Sequence, residues 1–461
     1  MRYADFLPLW FCSVAANLIK IRFWQTVLCD ATTEENTWKN QSWQEKGDLL
    51  WPGLSRVIIF LKEKIAERKE HSAERIESEE YMDFAMTDNL ARDLEEFTDF
   101  LRIHMEPFLF EWYKKEVIPR EFFQKLGQEG WLGFKQKNGQ LGEQPYLTQT
   151  ILMEKLAKIS PGVAVAVLVQ ISLGMVPLFL FGSEVQKATY LPSAARGEIL
   201  ICLGNTEHKA GSDVASIAMK AVKVDGGWVL NGTKAYVTNG AISDLAVVTA
   251  VSDPHASRNR RLSMFLVDLS SSGISRKKLN KRVWIPSDLT RLDFDNVFVP
   301  EENLLGEQGK GLHQVLATFT QSRIPMSALT LGTAVGAFET GLERASKRKI
   351  FGQRIADFQA KSFEIADFFS RIEAARLLVL KAGWIKDQGK DFRMEASMAK
   401  YMSVEIARQL GMWAADLFGA SSVMQDHPVH KFPMDAWAAS LGEGTQDVQK
   451  LIIFREIMKR N

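Results

Sequence analysis

The spacing of apolar positions changes twice along the chain and divides it into three patterned regions. From Thr87 to about residue 195, apolar residues recur at helical spacing, and Thr87 or Asp88 can cap the first helix. From about residue 199 to Pro300 the period shortens toward two, which is typical of strands. After Gly311 the helical spacing returns. The pattern therefore predicts an α+β protein with a β-rich region between two helical regions.

Local signals refine this division into elements. Asp225-Gly226-Gly227 lies between the apolar stretches 221–224 and 228–230 and predicts a hairpin. Further strands are predicted at 245–251, 262–268 and 292–299. The last region predicts long helices at roughly 313–347, 358–387, 393–418 and 442–459.

Two stretches of the first helical region carry expectations of their own. Residues 134–145 follow two glycines and contain two more, which predicts a loop. The run V-A-V-A-V-L-V at 163–169 is much shorter than the about 20 apolar residues that cross a membrane. It predicts a buried core helix instead.

Residues 1–86 precede the patterned regions and are interpreted as an extension of unknown role. Residues 6–28 are largely apolar, but Lys20 and Arg22 interrupt them and no clear signal-peptide cleavage site follows. Two interpretations stay open: an amphipathic helix that contacts a membrane or a partner, and an idiosyncratic extension or early start codon. Residues 57–80 predict a charged helix that links this extension to the rest.

Composition excludes several classes of function. The formal net charge is +1, from 57 basic and 56 acidic residues, so charge gives no reason to expect nucleic-acid binding. Cys12, Cys29 and Cys202 are too few and too scattered for a disulfide scaffold or a zinc site, and a reducing compartment fits best. No G-x-G-x-x-G follows a strand, so a Rossmann site is not indicated.

Glu443 is the candidate for chemistry, because it stands between Gly442 and Gly444 in L-G-E-G-T. Glycines on both sides place no side chain in the way of a ligand and permit unusual backbone angles. A carboxylate on such a turn is a candidate general base.

Four segments in this order resemble the acyl-CoA dehydrogenase family over roughly residues 88–461. They are T-E-H-K-A-G-S-D (206–213) with L-N-G-T-K-A-Y-V-T-N-G (230–240), V-F-V-P-E-E-N-L-L-G-E-Q-G-K-G (297–311), R-K-I-F-G-Q-R-I-A-D-F-Q (348–359) and the Glu443 segment. The resemblance implies an N-terminal α-helical domain (87–198), a middle β-barrel (199–310) and a C-terminal four-helix bundle (311–461).

The same resemblance implies the chemistry of an FAD enzyme that forms a double bond in an acyl thioester. Glu443 would take the α-proton and flavin N5 the β-hydride, since no side chain accepts hydride. The base's own backbone N–H and a flavin ribityl hydroxyl would polarise the thioester carbonyl. Some relatives carry the base immediately before the arginine matched by Arg323, but Ser322 stands there and cannot serve. Arg323 is expected to be a structural or site-edge cation.

The remaining site residues follow from the matched positions. Tyr236 stands where an aromatic packs on the isoalloxazine, and an arginine at 348 suits a phosphate. Because Arg348, Phe351 and Gln359 match residues that reach a neighbouring subunit's FAD, a homodimer or homotetramer is expected. The implied cofactor-binding residues are Thr206, Ser212, Tyr236, Thr238, Arg348, Phe351, Gln359 and Thr445, and the implied substrate-binding residues are Ser212, Arg323 and Gly444.

Several departures mark a divergent member. His208 and Lys209 replace the usual proline and small residue, and the C-terminal glycine-rich turn reads F-G-A-S-S, with Ser421 in it. Met434 replaces an arginine. Asp416 and Asp447 add carboxylates near the place of the FAD pyrophosphate, which they would repel. Weakened FAD binding, or an altered contribution of the partner subunit, is therefore expected.

The leading interpretation is an acyl-CoA dehydrogenase of fatty acid metabolism that passes electrons to an electron-transfer flavoprotein and holds no metal. Alternatives are a carrier-protein-linked dehydrogenase or oxidase of the same fold, and a degenerate, non-catalytic scaffold. A cytoplasmic location is expected, with the mitochondrial matrix or a membrane surface as alternatives. Acyl chain length is not predicted, but the base of the acyl pocket is expected near 163–175 and 316–326.

Overall fold

The computed structural model describes residues 87–137, 140–424 and 427–460. The predicted extension 1–86, with its apolar run and charged helix, lies outside the described residues. The described residues belong to one compact unit, which begins at Met82.

Helices and one short hairpin form the first region. Thr87 caps the first helix, because its side-chain oxygen accepts the Leu90 N–H at 3.3 Å. The elements are α1 (Asp88–His104), α2 (Leu109–Lys115), α3 (Arg120–Gln128), β1 (Phe134–Lys137), β2 (Gln140–Glu143), α4 (Tyr146–Ile159), α5 (Pro161–Leu168), α6 (Val176–Phe181) and α7 (Glu184–Ala195). The antiparallel pair β1–β2 corrects the prediction of a loop over 134–145, since the glycines there flank or interrupt short strands that are still long enough to pair.

The predicted core helix at 163–169 is confirmed. It belongs to a helical stretch, Pro161–Phe181, in which α5 and α6 are joined by a π-helical segment, Val169–Met175. This stretch is long and apolar enough to cross a membrane by composition alone, but almost all of it is buried inside the protein. It is the central helix of the first region.

The second region is a mainly antiparallel sheet. Its strands are β3 (Ile201–Gly204), β4 (Lys220–Val224), β5 (Gly227–Thr238), β6 (Leu245–Val251), β7 (Leu262–Asp268), β8 (Ile274–Lys278), β9 (Leu289–Pro300) and β10 (Leu304–Leu305). The hydrogen-bonded order is β10-β7-β6-β4-β5-β9-β8, with β3 added parallel to β6. The predicted hairpin is the β4–β5 pair, and β9 ends at Pro300 as expected.

The last region is a helical bundle built on one long buried helix. Its elements are α8 (Gly311–Lys347), a small hairpin of β11 (Lys349–Ile350) and β12 (Gln353–Arg354), α9 (Gln359–Asp387), α10 (Arg393–Phe418), α11 (Lys431–Ala439) and α12 (Gln446–Arg460). Helix α11 was not predicted, because Pro433 argues against a helix; Pro433 lies in its first turn, where proline is tolerated. The helical, sheet and helical order confirms the predicted α+β class.

Two buried polar side chains join these regions. Gln170, in the π-helical segment, donates to the carbonyls of Ala194 and Ile199 at 3.1 and 3.0 Å and accepts the Ile201 N–H at 2.7 Å. Asp435 of α11 accepts the Trp284 N–H from the sheet region at 2.5 Å. Burial raises the pKa of Asp435 to about 7, although Lys281 and Lys431 partly oppose the rise.

Candidate active site

Glu443 lies on the turn between α11 and α12. The sequence predicted a helix from residue 442, but α12 begins only at Gln446, so Gly442–Thr445 is a turn (the base turn). Glu443 and Gly444 have left-handed backbone angles, with φ of +48° and +93°. Helical geometry cannot accommodate these angles, which is why the helix starts later.

Side chains from three helices hold the carbonyls of the base turn. Arg323 of α8 donates to the Glu443 carbonyl at 3.2 Å. Gln449 of α12 donates to the carbonyls of Glu443 and Gly444 at 3.1 and 2.9 Å. Lys400 of α10 donates to the carbonyls of Gly442 and Gly444, the latter at 2.5 Å. The backbone of the turn is therefore fixed by its own bundle.

The Glu443 carboxylate, by contrast, is left free. Its Oε2 atom is buried and has no hydrogen-bond partner among the described residues. Burial raises the pKa of Glu443, and the charges of Lys400 and Arg323 partly oppose this. A carboxylate that is desolvated, unpartnered and held by a fixed backbone is suited to accepting a proton.

Arg323 and Ser322 are neighbours on α8, at the place where some relatives carry the base. Arg323 is buried, and burial lowers its pKa to about 10. Ser322 is also buried, and its hydroxyl donates to the Phe319 carbonyl within α8 at 3.3 Å. Ser322 offers no base, in keeping with the assignment to Glu443.

Open space and an apolar cavity lie along α8. A Cβ at Gly442 would meet only the terminal methyl of Met326, at 3.8 Å. A small cavity reaches Pro325 of α8 and Ile171 and Ser172 of the π-helical segment, and side chains of α1 and α4, such as Phe97 and Met153, line it further. Pro325, Ile171 and Ser172 belong to the stretches in which the base of an acyl pocket was expected, whereas Phe97 and Met153 do not.

A second group of predicted site residues lies in the sheet region. The Thr206 carbonyl accepts the Ala235 N–H at 2.8 Å, which ties the two matched segments together beside Tyr236. Tyr236 has φ +56° and is 55% exposed, and its ring is 5.8 Å from that of His208. Thr238 ends β5 and Ser212 is exposed. An exposed aromatic ring, with hydroxyl-bearing residues in its own segment and in the segment bonded to it, fits a planar ring with polar edges such as flavin.

The third group protrudes from the bundle. Phe351, at the tip of the β11–β12 hairpin, is 94% exposed with φ +48°, and Arg348 and Gln359 beside it are exposed as well. Within the described part of the chain, the Arg348 guanidinium has no carboxylate partner. An aromatic and a cation presented to solvent in this way fit contact with another molecule. The departures Asp416 and Asp447 are also exposed.

Sequence reasoning missed Lys400 and Gln449. Lys400 is fully buried and stands among small residues on α10, such as Ala396, Ser403 and Ala407, so a lysine at a core position was the available signal. Gln449 occupies the only buried position of α12. Their contact with the base turn depends on how three helices pack.

Comparison with known proteins agrees with this architecture. Residues 87–198 match the family model of the acyl-CoA dehydrogenase N-terminal domain, 202–297 the middle domain and 309–458 the C-terminal domain. An acyl-CoA dehydrogenase of Bacillus subtilis (strain 168) is 34% identical over 362 residues, which are 78% of this chain and 95% of the relative.

One further relative and one solved structure are similar to most of the chain. The caffeyl-CoA reductase-Etf complex subunit CarC of Acetobacterium woodii is 33% identical over 74% of this chain and 91% of the relative. The structure of butyryl-CoA dehydrogenase from Megasphaera elsdenii superposes with a TM-score of 0.78 at 32% identity, covering 82% of this chain and all of that one. The predictions of the family, of an oxidoreductase and of FAD as cofactor are thereby confirmed, and the chain belongs to the acyl-CoA dehydrogenase family.

Proposed function

We propose that this protein catalyses the FAD-dependent α,β-dehydrogenation of an acyl-CoA thioester to the 2-enoyl-CoA, with Glu443 as the base. The observation that carries this proposal is the buried, unpartnered Oε2 of Glu443 on a turn whose carbonyls are held by Arg323, Lys400 and Gln449. A structural carboxylate at such a place would be expected to have its own partner. The free oxygen supports a role toward a ligand.

Glu443 takes the proton from Cα of the acyl group onto its free oxygen. Its raised pKa, caused by burial, brings the carboxylate closer in basicity to the weakly acidic carbon, which favours transfer. The backbone N–H of Glu443 donates to the thioester carbonyl oxygen and stabilises the charge that develops there. FAD supplies the acceptor for the β-hydride.

In this proposal, two copies of the chain together would hold FAD. Tyr236 would pack against the ring system, and the hydroxyls of the neighbouring segments would bind its polar edge. Arg348 of a second copy would supply a cation for the pyrophosphate. The residues assigned to FAD are Thr206, Ser212, Tyr236, Thr238 and Thr445 of one copy and Arg348, Phe351 and Gln359 of the other.

The acyl tail is apolar in this proposal. The cavity beside α8 is lined mainly by hydrophobic side chains such as Leu152, Met153 and Val167, with Ser172 and two glutamines as its polar members. No basic side chain lines it, so a carboxylate-ended acyl group would find no cation there.

Electrons pass on to an electron-transfer flavoprotein in this proposal. A relative named for such a complex, at 33% identity, supports that acceptor. The alternatives of a carrier-protein substrate and of an oxidase share the same base and are separated by testing acceptors and thioesters. A degenerate scaffold is disfavoured, because Glu443 and the three side chains that hold its turn are all present.

Glu443→Gln tests the proposal directly. The amide keeps the size of the side chain but cannot accept the proton, so we expect retained FAD and a loss of substrate-dependent flavin bleaching of roughly 10²–10⁴-fold or more under anaerobic conditions. Glu405→Gln is the matched control, because its carboxylate accepts the Gln446 amide 3.0 Å away and faces α12 instead of the site. Normal bleaching in Glu443→Gln would refute the assignment.

A further inference from the structure

Lys400 is a cation in a place where side chains are normally apolar. It is fully buried in α10, and its amine reaches the base turn. The amine donates to the carbonyl before Glu443 and to the carbonyl after it, those of Gly442 and Gly444. One side chain thus holds the carbonyls on both sides of Glu443.

The charge of Lys400 acts on the same carboxylate. Burial lowers the pKa of Lys400 to about 8, and the Glu443 charge opposes that fall. The charged groups that act on Glu443 are Arg323 from α8 and Lys400 from α10, while α12 contributes the neutral amide of Gln449. A neutral donor would hold the carbonyls equally well. The positive charge of Lys400 therefore has a second effect, which is to favour the ionised form of Glu443.

We propose that Lys400 is a positioning residue for the base: it fixes the 442–444 backbone by both flanking carbonyls and supplies the positive charge that keeps Glu443 ionised for proton abstraction. This inference rests on the proposed function of Glu443. Lys400 touches no substrate atom; it acts through the base turn. When Glu443 accepts the α-proton, Lys400 and Arg323 remain as two buried cations, which favour the negative charge that develops on the substrate.

Lys400→Met tests this role, since methionine fills similar space without charge or donor. The acid limb of the pH profile of kcat/KM reports the ionisation of the base in the free enzyme. We expect this limb to move upward by about one pH unit, with about a tenfold loss of kcat/KM below it. Lys400→Arg, which keeps the charge, should return the limb toward the wild-type pH.

Two controls test whether the effect is specific to Lys400 and whether it acts through Glu443. Lys431→Met removes another inward-pointing amine, which donates to the Ile159 carbonyl at 2.9 Å, and should leave the limb in place. In the Glu443→Gln background, Lys400→Met should cause little further loss. If Lys400→Met does not fold, Lys400→Gln, which keeps a neutral donor, is measured for the same shift.

An unchanged acid limb in a folded, flavin-loaded Lys400 variant overturns the inference, while an inactive Glu443→Gln leaves the proposed function standing. Full activity of Glu443→Gln would instead remove the proposed function, whatever the Lys400 variants do.

Discussion

At the scale of single residues, the left-handed backbone angles of the base turn restrict which residues it can contain. Glu443 adopts a left-handed angle that costs a non-glycine residue roughly 1–2 kcal/mol. Three side-chain donors hold it there. Gly444 follows with φ +93°, which only glycine adopts without strain.

Gly444→Ala should therefore destabilise the protein. The new Cβ would lie 3.0 Å from Nε2 of Gln449 and from Cγ1 of Val448, in a strained backbone region. We expect a loss of about 1–2 kcal/mol in unfolding free energy, measured by thermal or urea denaturation. Gly442→Ala is the control, since its Cβ meets only Met326 at 3.8 Å. Equal stability of the two variants would contradict the claim.

The sequence alone could point to Glu443 as the candidate base, but it could not identify the side chains that hold the base turn. Glu443 between two glycines in L-G-E-G-T is a local pattern, and so is the serine at 322 that excludes the other base position. Lys400 and Gln449 lie 43 residues before and 6 residues after Glu443, and no local pattern connects them to it. The packing of α8, α10 and α12 makes that connection.

At the scale of elements, the long periodic helices and the β4–β5 hairpin were predictable. Their apolar spacing and turn residues act over a few neighbours in sequence. The β1–β2 hairpin, the π-helical segment and α11 were not, because each contradicts its local propensity and is stabilised by surrounding structure. Tertiary packing outweighs weak local preferences there.

The contact between α11 and the sheet region predicts a pH dependence of stability. The pKa of Asp435 is about 7 in the folded protein and near its ordinary 3.8 when unfolded. The folded state therefore binds the extra proton between these values, and stability falls as pH rises through that window. Below pH 3.8 the contribution is fully present.

Asp435→Asn should remove this dependence, because the amide stays neutral and its oxygen can still accept the Trp284 N–H. Relative to the variant, the wild type should lose about 1.4 kcal/mol per pH unit between about pH 4 and 7. Unfolding free energies measured at pH 5, 6 and 7 check this. A constant difference across the three values would show that the carboxyl does not titrate there.

At the scale of the whole molecule, the bundle presents apolar side chains to solvent. Leu451, Phe454 and Met458 form one stripe on α12, with exposures of 46%, 58% and 56%. Phe363 and Phe369 of α9 are exposed as well. Contiguous exposed apolar surface of this kind marks an association site. Together with the protruding Phe351, it supports the expected homodimer or homotetramer.

Phe454→Glu should weaken that association. A charge placed in an apolar contact must be desolvated without a partner, so we expect a shift toward monomer and a loss of bound flavin, measured by light scattering and absorbance. Phe110→Glu, at a more exposed phenylalanine on α2, should leave the mass unchanged. A wild-type monomer that carries full flavin would contradict the expected assembly.

Gln170 has a further consequence for how the protein can move. Where the chain passes from α7 to β3, this one side chain satisfies two carbonyls and one N–H in a buried place. Separating the helices from the sheet would leave each of these groups buried without a hydrogen-bond partner, at a cost of about 1–3 kcal/mol each. The segment between α7 and β3 therefore resists gradual bending, because any intermediate position would leave these buried groups without hydrogen bonds. Access for a bulky ligand must come from rearranged side chains or outer loops, with the helical wall and the sheet moving as one piece.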